Sequence, residues 1–155
     1  MHPIRRTALK GVWAFGALAG AVAAGLLSPA RAFAAGNKGA FEAKSVVDAM
    51  KALGVTNAEP SQEIQIRAPD IAENGAVVPI DITSNVPGTT AISVFIEKNP
   101  FPYTGTFDVS QGVAPYVHLR VKIGESSPVR VVVAAGGRYY TSVKEVKVTI
   151  GGCGG

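Results

Sequence analysis

The chain has 155 residues, of which 47% are hydrophobic and 17% charged, a composition that suits one globular domain. Its formal net charge is +4, but four of the fifteen basic residues lie within the first 34 positions, and the other eleven are balanced by eleven acidic residues. The body therefore has no basic surplus with which to bind nucleic acid or an anionic membrane, and its single cysteine excludes an internal disulfide.

The first 34 residues have the pattern of a cleavable export signal. Arg5 and Arg6 precede an apolar, Ala- and Gly-rich segment, which is followed by two Ala-x-Ala sites that place cleavage after Ala32 or Ala34. The arginine pair indicates twin-arginine export, and the apolar segment is too short and too weakly hydrophobic for a membrane helix. We therefore expect a periplasmic protein with no membrane attachment after cleavage.

One short amphipathic helix is predicted at about residues 41–53. Four apolar residues recur there at helical spacing, and Gly54 follows as a plausible stop. These apolar residues, which we expect to pack on the body as core rather than to form a partner surface, are Val46, Val47, Met50 and Leu53.

From Glu63 onward the hydrophobic period changes to two, which is typical of strands that bury one face. Strands are predicted at residues 63–67, 77–83, 91–98, 106–110, 115–123, 129–135 and 139–150, with proline and glycine turns between them. Several short strands at regular spacing predict a mainly β fold, an antiparallel immunoglobulin-like β-sandwich over residues 35–150.

The tail after the last strand holds the only cysteine, Cys153, between two pairs of glycines: Gly151, Gly152, Gly154 and Gly155. Glycine adopts φ > 0 as readily as φ < 0, so we expect residues 151–155 to form a flexible arm. At no more than about 3.3–3.6 Å per residue, the arm can place the thiol about 10 Å beyond the last strand. The slim glycines would let it enter a pocket on another protein, which predicts a carrier thiol.

This tail has other interpretations. The two residues after Cys153 are too few and not aliphatic for prenylation, and one cysteine is insufficient for a structural zinc site. An intermolecular disulfide stays open. The alternative function is therefore an exported β-sandwich interaction protein that dimerises through Cys153.

A thiol enzyme such as a peroxidase is a third hypothesis, from a different class. It would need a base held within hydrogen-bond reach of the thiol, and a flexible arm cannot hold that geometry. His118, the only histidine after the export signal, lies in the middle of a predicted strand and is expected to face solvent. Thiol activation is therefore expected to come from a partner's pocket, and the chain itself is expected not to be an enzyme.

No nucleotide-binding loop, haem-attachment motif or paired-cysteine motif occurs in the sequence, so no cofactor or metal is expected. Lys144 and Lys147 lie near the arm and could steer an anionic group, although exposed lysines are usual on the wet face of a sheet. Four aromatic residues are expected to pack in the core or on a sheet rather than to form an interface: Phe101, Tyr103, Phe107 and Tyr116.

The cysteine within Gly-Gly-Cys-Gly-Gly at the end of the sequence resembles the SoxY family, the carrier subunits of the Sox sulfur-oxidation system. The resemblance spans the whole chain, with an export signal, a short helix, a β-rich body containing APDIAENG at residues 68–75, and the tail. It implies that Cys153 is covalently loaded with sulfur derived from thiosulfate. It also implies a heterodimer with SoxZ and transient contacts with the haem enzyme SoxAX, the hydrolase SoxB and the sulfane dehydrogenase SoxCD.

Overall fold

The computed structural model describes residues 38–109 and 111–149. The predicted export signal over residues 1–34 and the predicted arm over residues 151–155, including Cys153, lie outside the described residues. The domain boundaries drawn around them stay predictions. Within the described ranges, no helix is both long enough and apolar enough to cross a bilayer.

In the part of the chain that the structure describes, helix α1 (Val46–Ala52) precedes the sheets. Ser45 caps its N-terminus, because the Ser45 side chain accepts a hydrogen bond from the backbone N–H of Asp48 at 3.1 Å. The predicted helix over residues 41–53 is wrong at its start. A separate helical turn includes residues 38–42, and the chain is extended at Ser45 before α1 begins.

Nine strands follow the helix within the described residues: β1 (Glu59–Pro60), β2 (Ile64–Arg67), β3 (Ile71–Ala72), β4 (Val78–Ser84), β5 (Thr89–Ile96), β6 (Tyr103–Asp108), β7 (Tyr116–Val121), β8 (Ser127–Ala135) and β9 (Arg138–Val148). They form two sheets. The larger has the order β1-β9-β8-β5-β6, with β3 also paired to β9, and the smaller has the order β2-β4-β7.

This mainly β arrangement of two sheets confirms the predicted sandwich. Most neighbouring strands are antiparallel, as expected. The two short strands β1 and β3, however, run parallel to β9. Both lie along the same side of β9, because β8 occupies its other side. Neither parallel pairing was predicted.

The main core lies between the two sheets and is built from alternating residues of their facing sides. Along β8, Val129, Val131 and Val133 are fully buried in this core, whereas the intervening Val132 faces the other way. Val132 belongs to a second cluster that includes Ala49 of α1. The helical segment therefore covers part of the outer face of the larger sheet.

Two expectations about side chains are corrected. Val47, predicted to join the apolar stripe of the helix, is 74% exposed, because Ala49 takes the buried position of α1. Of the four aromatic residues expected to pack in the core or on a sheet, Tyr103 is buried, and Phe107 and Tyr116 lie on strands with their side chains exposed. Phe101 lies outside the strands and is 53% exposed, so the expectation is wrong for this residue.

Candidate functional site at the root of the C-terminal arm

Strand β9 carries the chain to the predicted arm. It pairs with β8 through successive residue partners from Arg138 opposite Ala135 to Val146 opposite Ser127. The two residues that end the described chain, 148–149, are called the arm root below. Val148 packs against the main core, so the sandwich holds the point from which the predicted arm begins.

A segment from Asp70 to Gly75, called the strap below, lies beside the arm root. Its strand β3 runs parallel to β9, with Ile71 opposite Lys147 and Ala72 opposite Val148. Ala72 is buried in the main core, whereas the side chain of Ile71 faces outward. The strap and the end of β9 thus form a short parallel pair of strands, with Ala72 of the strap facing the core and Ile71 facing outward.

Backbone hydrogen bonds join the strap to the root at both ends of this ladder. The N–H of Lys147 donates to the carbonyl of Asp70 at 2.9 Å, and the N–H of Thr149 donates to the carbonyl of Ala72 at 3.1 Å. The hydroxyl of Thr149 also donates to the carbonyl of Glu73 at 3.4 Å. These bonds satisfy backbone groups that an unpaired strand edge would leave open.

Gly75, at the end of the strap, lies in close contact with the arm root. A Cβ placed on Gly75 would overlap the carbonyl oxygen of Ile123 and would lie 2.8 Å from Cγ1 of Val148. The N–H of Ile123 also donates to the carbonyl of Gly75 at 2.8 Å. This close backbone approach requires the one residue that has no side chain.

The arm root is held on its other side by Ser126. The N–H of Val148 donates to the side-chain oxygen of Ser126 at 2.9 Å, and the hydroxyl of Ser126 lies 3.5 Å from the carbonyl of Val148. A side chain therefore replaces the backbone partner that β8, which begins at Ser127, no longer supplies. The root is fixed by the strap, by Ser126 and by the core.

The two lysines near the arm have different surroundings. Lys144 Nζ lies 2.6 Å from Oδ1 of Asp70, an ion pair that joins β9 to the strap. The hydrogen bond from Lys144, followed by its charge, lowers the pKa of the Asp70 carboxyl. Lys144 is thus engaged within the chain, whereas Lys147 is exposed and takes part in none of the ion pairs found among the described residues.

His118 lies on the outward face of the smaller sheet, as predicted. Its Nδ1 is 2.8 Å from Oδ1 of Asp81, and the hydroxyl of Tyr116 donates to the same carboxylate. The hydrogen bonds from Tyr116 and His118 lower the pKa of Asp81, and the bond to Asp81 raises the pKa of Tyr116. This cluster is on strands other than those that hold the arm root.

The strap is the part of the candidate site that sequence reasoning missed. Proline at position 69 and the short apolar pair after it indicate only a break between strands, because two residues are too few to show a period. The only signal was the segment of residues 68–75, which entered the prediction through its family resemblance. Within the described ranges, no group of three or more His, Cys, Asp or Glu side chains could hold a metal ion.

The chain is similar to known proteins in sequence and in fold. The family model described as sulfur oxidation protein SoxY matches residues 49–153. The structure of the sulfur carrier protein SoxY from Chlorobium limicola f thiosulfatophilum is 43% identical, with a TM-score of 0.63, and the match covers 68% of this chain and 97% of that one. No curated protein sequence matches the chain.

A more distant structure, the superoxide reductase neelaredoxin from Ignicoccus hospitalis, is 15% identical. Its TM-score is 0.49, and the match covers 67% of this chain and 92% of that one. A likeness at this level has no bearing on function.

The fold and the site together define a two-sheet β-sandwich whose last strand leads into a tail containing the only cysteine. The family match extends over about two thirds of the chain and ends on that cysteine. The chain belongs to the SoxY family.

Proposed function

We propose that this chain is a periplasmic sulfur carrier whose Cys153 thiol covalently holds intermediates derived from thiosulfate. The observation that carries this proposal is the 43% identity to a sulfur carrier protein over 97% of that protein's length. The family match supports the choice of residue, because it extends to Cys153. The firmly held arm root supports it as well, since a carrier arm needs a fixed origin from which to reach its partners.

The chain acts as a carrier and not as an enzyme. A free thiol has a pKa of about 8.5, so only a few per cent is thiolate at neutral pH, and the thiolate is the nucleophile. The one described histidine, His118, is bonded to Asp81 on the outward face of the smaller sheet. Activation of Cys153 therefore falls to the pocket of each partner enzyme.

Four reactions make up the proposed cycle. The haem enzyme SoxAX joins the cysteine thiol to the outer sulfur of thiosulfate, with loss of a proton and of two electrons, which that enzyme would pass one at a time to an electron acceptor. The hydrolase SoxB adds water across the sulfur–sulfonate bond, which releases sulfate and leaves a persulfide on Cys153. The sulfane dehydrogenase SoxCD oxidises the outer sulfur of the persulfide to a sulfonate, using three waters and removing six electrons. A second hydrolysis by SoxB releases sulfate and restores the thiol.

The proposed stable partner is SoxZ, in a heterodimer that leaves the arm root accessible. Delivery to the periplasm is proposed to depend on the twin-arginine signal with Arg5 and Arg6. Cleavage after Ala32 or Ala34 then leaves a carrier domain with no membrane attachment. An exported carrier would meet its partner enzymes in the same compartment.

The test is intact-mass analysis of the mature protein, bound to SoxZ, after incubation with thiosulfate and the haem enzyme. We expect one thiosulfate-derived adduct, located on the C-terminal peptide, and none in the Cys153→Ser variant. That variant should keep its thermal stability and its binding to SoxZ. An unmodified mass for the parent protein would refute the carrier function, and so would an adduct that persists in Cys153→Ser.

The same sample tests the alternative, an interaction protein that dimerises through a disulfide of Cys153. Electrophoresis without reductant would then show complete dimers that thiosulfate and the haem enzyme leave unchanged. For a carrier, we instead expect a free Cys153 thiol that accepts the adduct, with disulfide-linked dimers only as a minor product of oxidation. Turnover of peroxide or another substrate by the isolated chain would favour a thiol enzyme.

A further inference from the structure

The short distance between the arm root and Cys153 restricts where a partner enzyme can sit. Cys153 is the fourth residue after Thr149, so the Cα atoms of the two residues lie at most about 14 Å apart. An enzyme that takes the Cys153 thiol into a recessed pocket must bring the rim of that pocket against the surface around the arm root. This inference rests on the proposed carrier function.

Ile71 is the large apolar side chain that the strap presents at this surface. It is 58% exposed, whereas its neighbour Ala72 is buried. The pairing with β9 uses backbone groups and the burial of Ala72, so it would tolerate a polar side chain at position 71. A β-branched apolar residue is therefore not required here for the fold.

The strap also fixes the place of Ile71 relative to the arm. Ile71 lies opposite Lys147, two residues before Thr149, and residues opposite one another in a ladder project to the same face. Hydrogen bonds from β9 hold the strap on both sides of Ile71, at the carbonyls of Asp70 and Ala72. An apolar group and a cation are thus presented side by side, at a constant distance from the start of the arm.

We infer that Ile71 and Lys147 form a docking surface for the enzymes that receive the arm, and that those enzymes carry a complementary rim: an apolar patch with a carboxylate beside it. The apolar contact loses water on docking, which favours association by about 25 cal/mol per Å² buried. The paired charges raise the association rate and make it dependent on salt.

The deciding experiment measures loading of the mature carrier, bound to its stable partner, by the haem enzyme with thiosulfate. For Ile71→Asp we expect kcat/KM to fall at least about tenfold, mainly through KM, because a charge replaces the apolar contact. Reaction of Cys153 with a small aromatic disulfide should change less than about twofold, because it needs no docking. The conservative variant Ile71→Val should load at close to the parent rate.

The matched control is Val47→Asp on α1. Val47 is 74% exposed, and α1 packs over Val132 of β8. Val132 pairs with Thr141 of β9, which is seven residues before Val148 of the arm root. That separation is about 23 Å along the strand. Val47→Asp introduces the same charge at an exposed valine and is expected to load at the parent rate.

Lys147→Gln tests the charged half of the surface. The parent loading rate should fall with added salt, and this dependence should weaken in the variant. Loading of Ile71→Asp at the parent rate, or equal losses in Ile71→Asp and Val47→Asp, would overturn the docking surface while the carrier function stands. Failure of the parent protein to accept any adduct would instead overturn the carrier function, and this inference with it.

Discussion

Replacing Gly75 by alanine introduces one methyl group at the contact between the strap and the arm root. The new Cβ would overlap the carbonyl oxygen of Ile123 and would lie 2.8 Å from Cγ1 of Val148. Val148 can change its rotamer, but the carbonyl of Ile123 belongs to the backbone and lies next to the N–H that donates to the carbonyl of Gly75. The strap must therefore move away from the root or strain that hydrogen bond.

Overpacking of this kind destabilises a protein by about 1–3 kcal/mol. For a domain of slightly more than 100 residues, we expect the melting temperature to fall by about 4–12 °C, taking about 4 °C per kcal/mol. Thermal unfolding followed by circular dichroism measures this shift. The matched control is Gly105→Ala in β6, where a Cβ would meet no atom within 4 Å and the glycine has no positive φ.

The control variant is expected to be neutral or slightly stabilised, because alanine reduces the conformational freedom of the unfolded chain. A Gly75→Ala protein as stable as Gly105→Ala would refute the close approach of strap and root. If the melting temperature falls as expected, loading of Cys153 by the haem enzyme should also fall. Displacement of the strap moves Ile71 relative to the start of the arm.

Three further predictions follow from the contacts of the site and of the smaller sheet. Ser126→Ala removes the side-chain acceptor at the root and should cost about 1 kcal/mol in chemical unfolding. Lys144 lowers the pKa of Asp70 in the folded protein, so the ion pair stabilises the fold above the ordinary pKa of an aspartate, and this stabilisation is lost as pH falls through the lowered pKa. Unfolding of the parent and of Lys144→Met, measured at a series of acidic pH values, should therefore show a small difference in stability that disappears at the lowest pH and is reduced by salt. Asp81→Asn should lower the pKa of Tyr116, as measured by ultraviolet titration of the phenolate.

Each of these predictions has an outcome that contradicts it. An unchanged unfolding curve for Ser126→Ala would mean that the backbone of the arm root finds another partner. If the stabilities of the parent protein and of Lys144→Met change in parallel across acidic pH, the ion pair between Lys144 and Asp70 does not stabilise the strap. A phenolate titration unaffected by Asp81→Asn would mean that Tyr116 is not bonded to that carboxylate in solution.

The sequence predicted the long strands well because burial of one face imposes a period of two on them. In β8 the fully buried Val129, Val131 and Val133 produce this pattern directly. The two-residue strands β1 and β3 have no such pattern. Their pairing with β9 joins residues 81 positions apart for β1 and 76 positions apart for β3, and only the folded sandwich brings these together.

The errors of the helix prediction have a local cause. Spacing alone placed Val47 with the apolar stripe, but the side-chain cap at Ser45 sets where α1 begins, and Ala49 becomes the residue that faces the sheet. Similarly, the sequence located Lys144 and Lys147 near the arm without revealing that one of them is paired with Asp70. The partner comes from the strap, whose position beside β9 was not predicted.

Holding the arm root in place has a quantitative consequence for a thiol carried at Cys153. With the chain fixed up to Thr149, the Cα atom of Cys153 can reach at most about 14 Å from that of Thr149. If the strap and Ser126 released residues 147–149, the mobile segment before Cys153 would grow from four residues to seven, and its maximal reach to about 24 Å. The effective concentration of the thiol at the pocket of a docked enzyme falls roughly as the −3/2 power of the length of this segment, so it would drop about twofold. A strap that adds little to global stability can therefore still determine how fast a docked enzyme finds the thiol, provided that it stays paired with the root during docking.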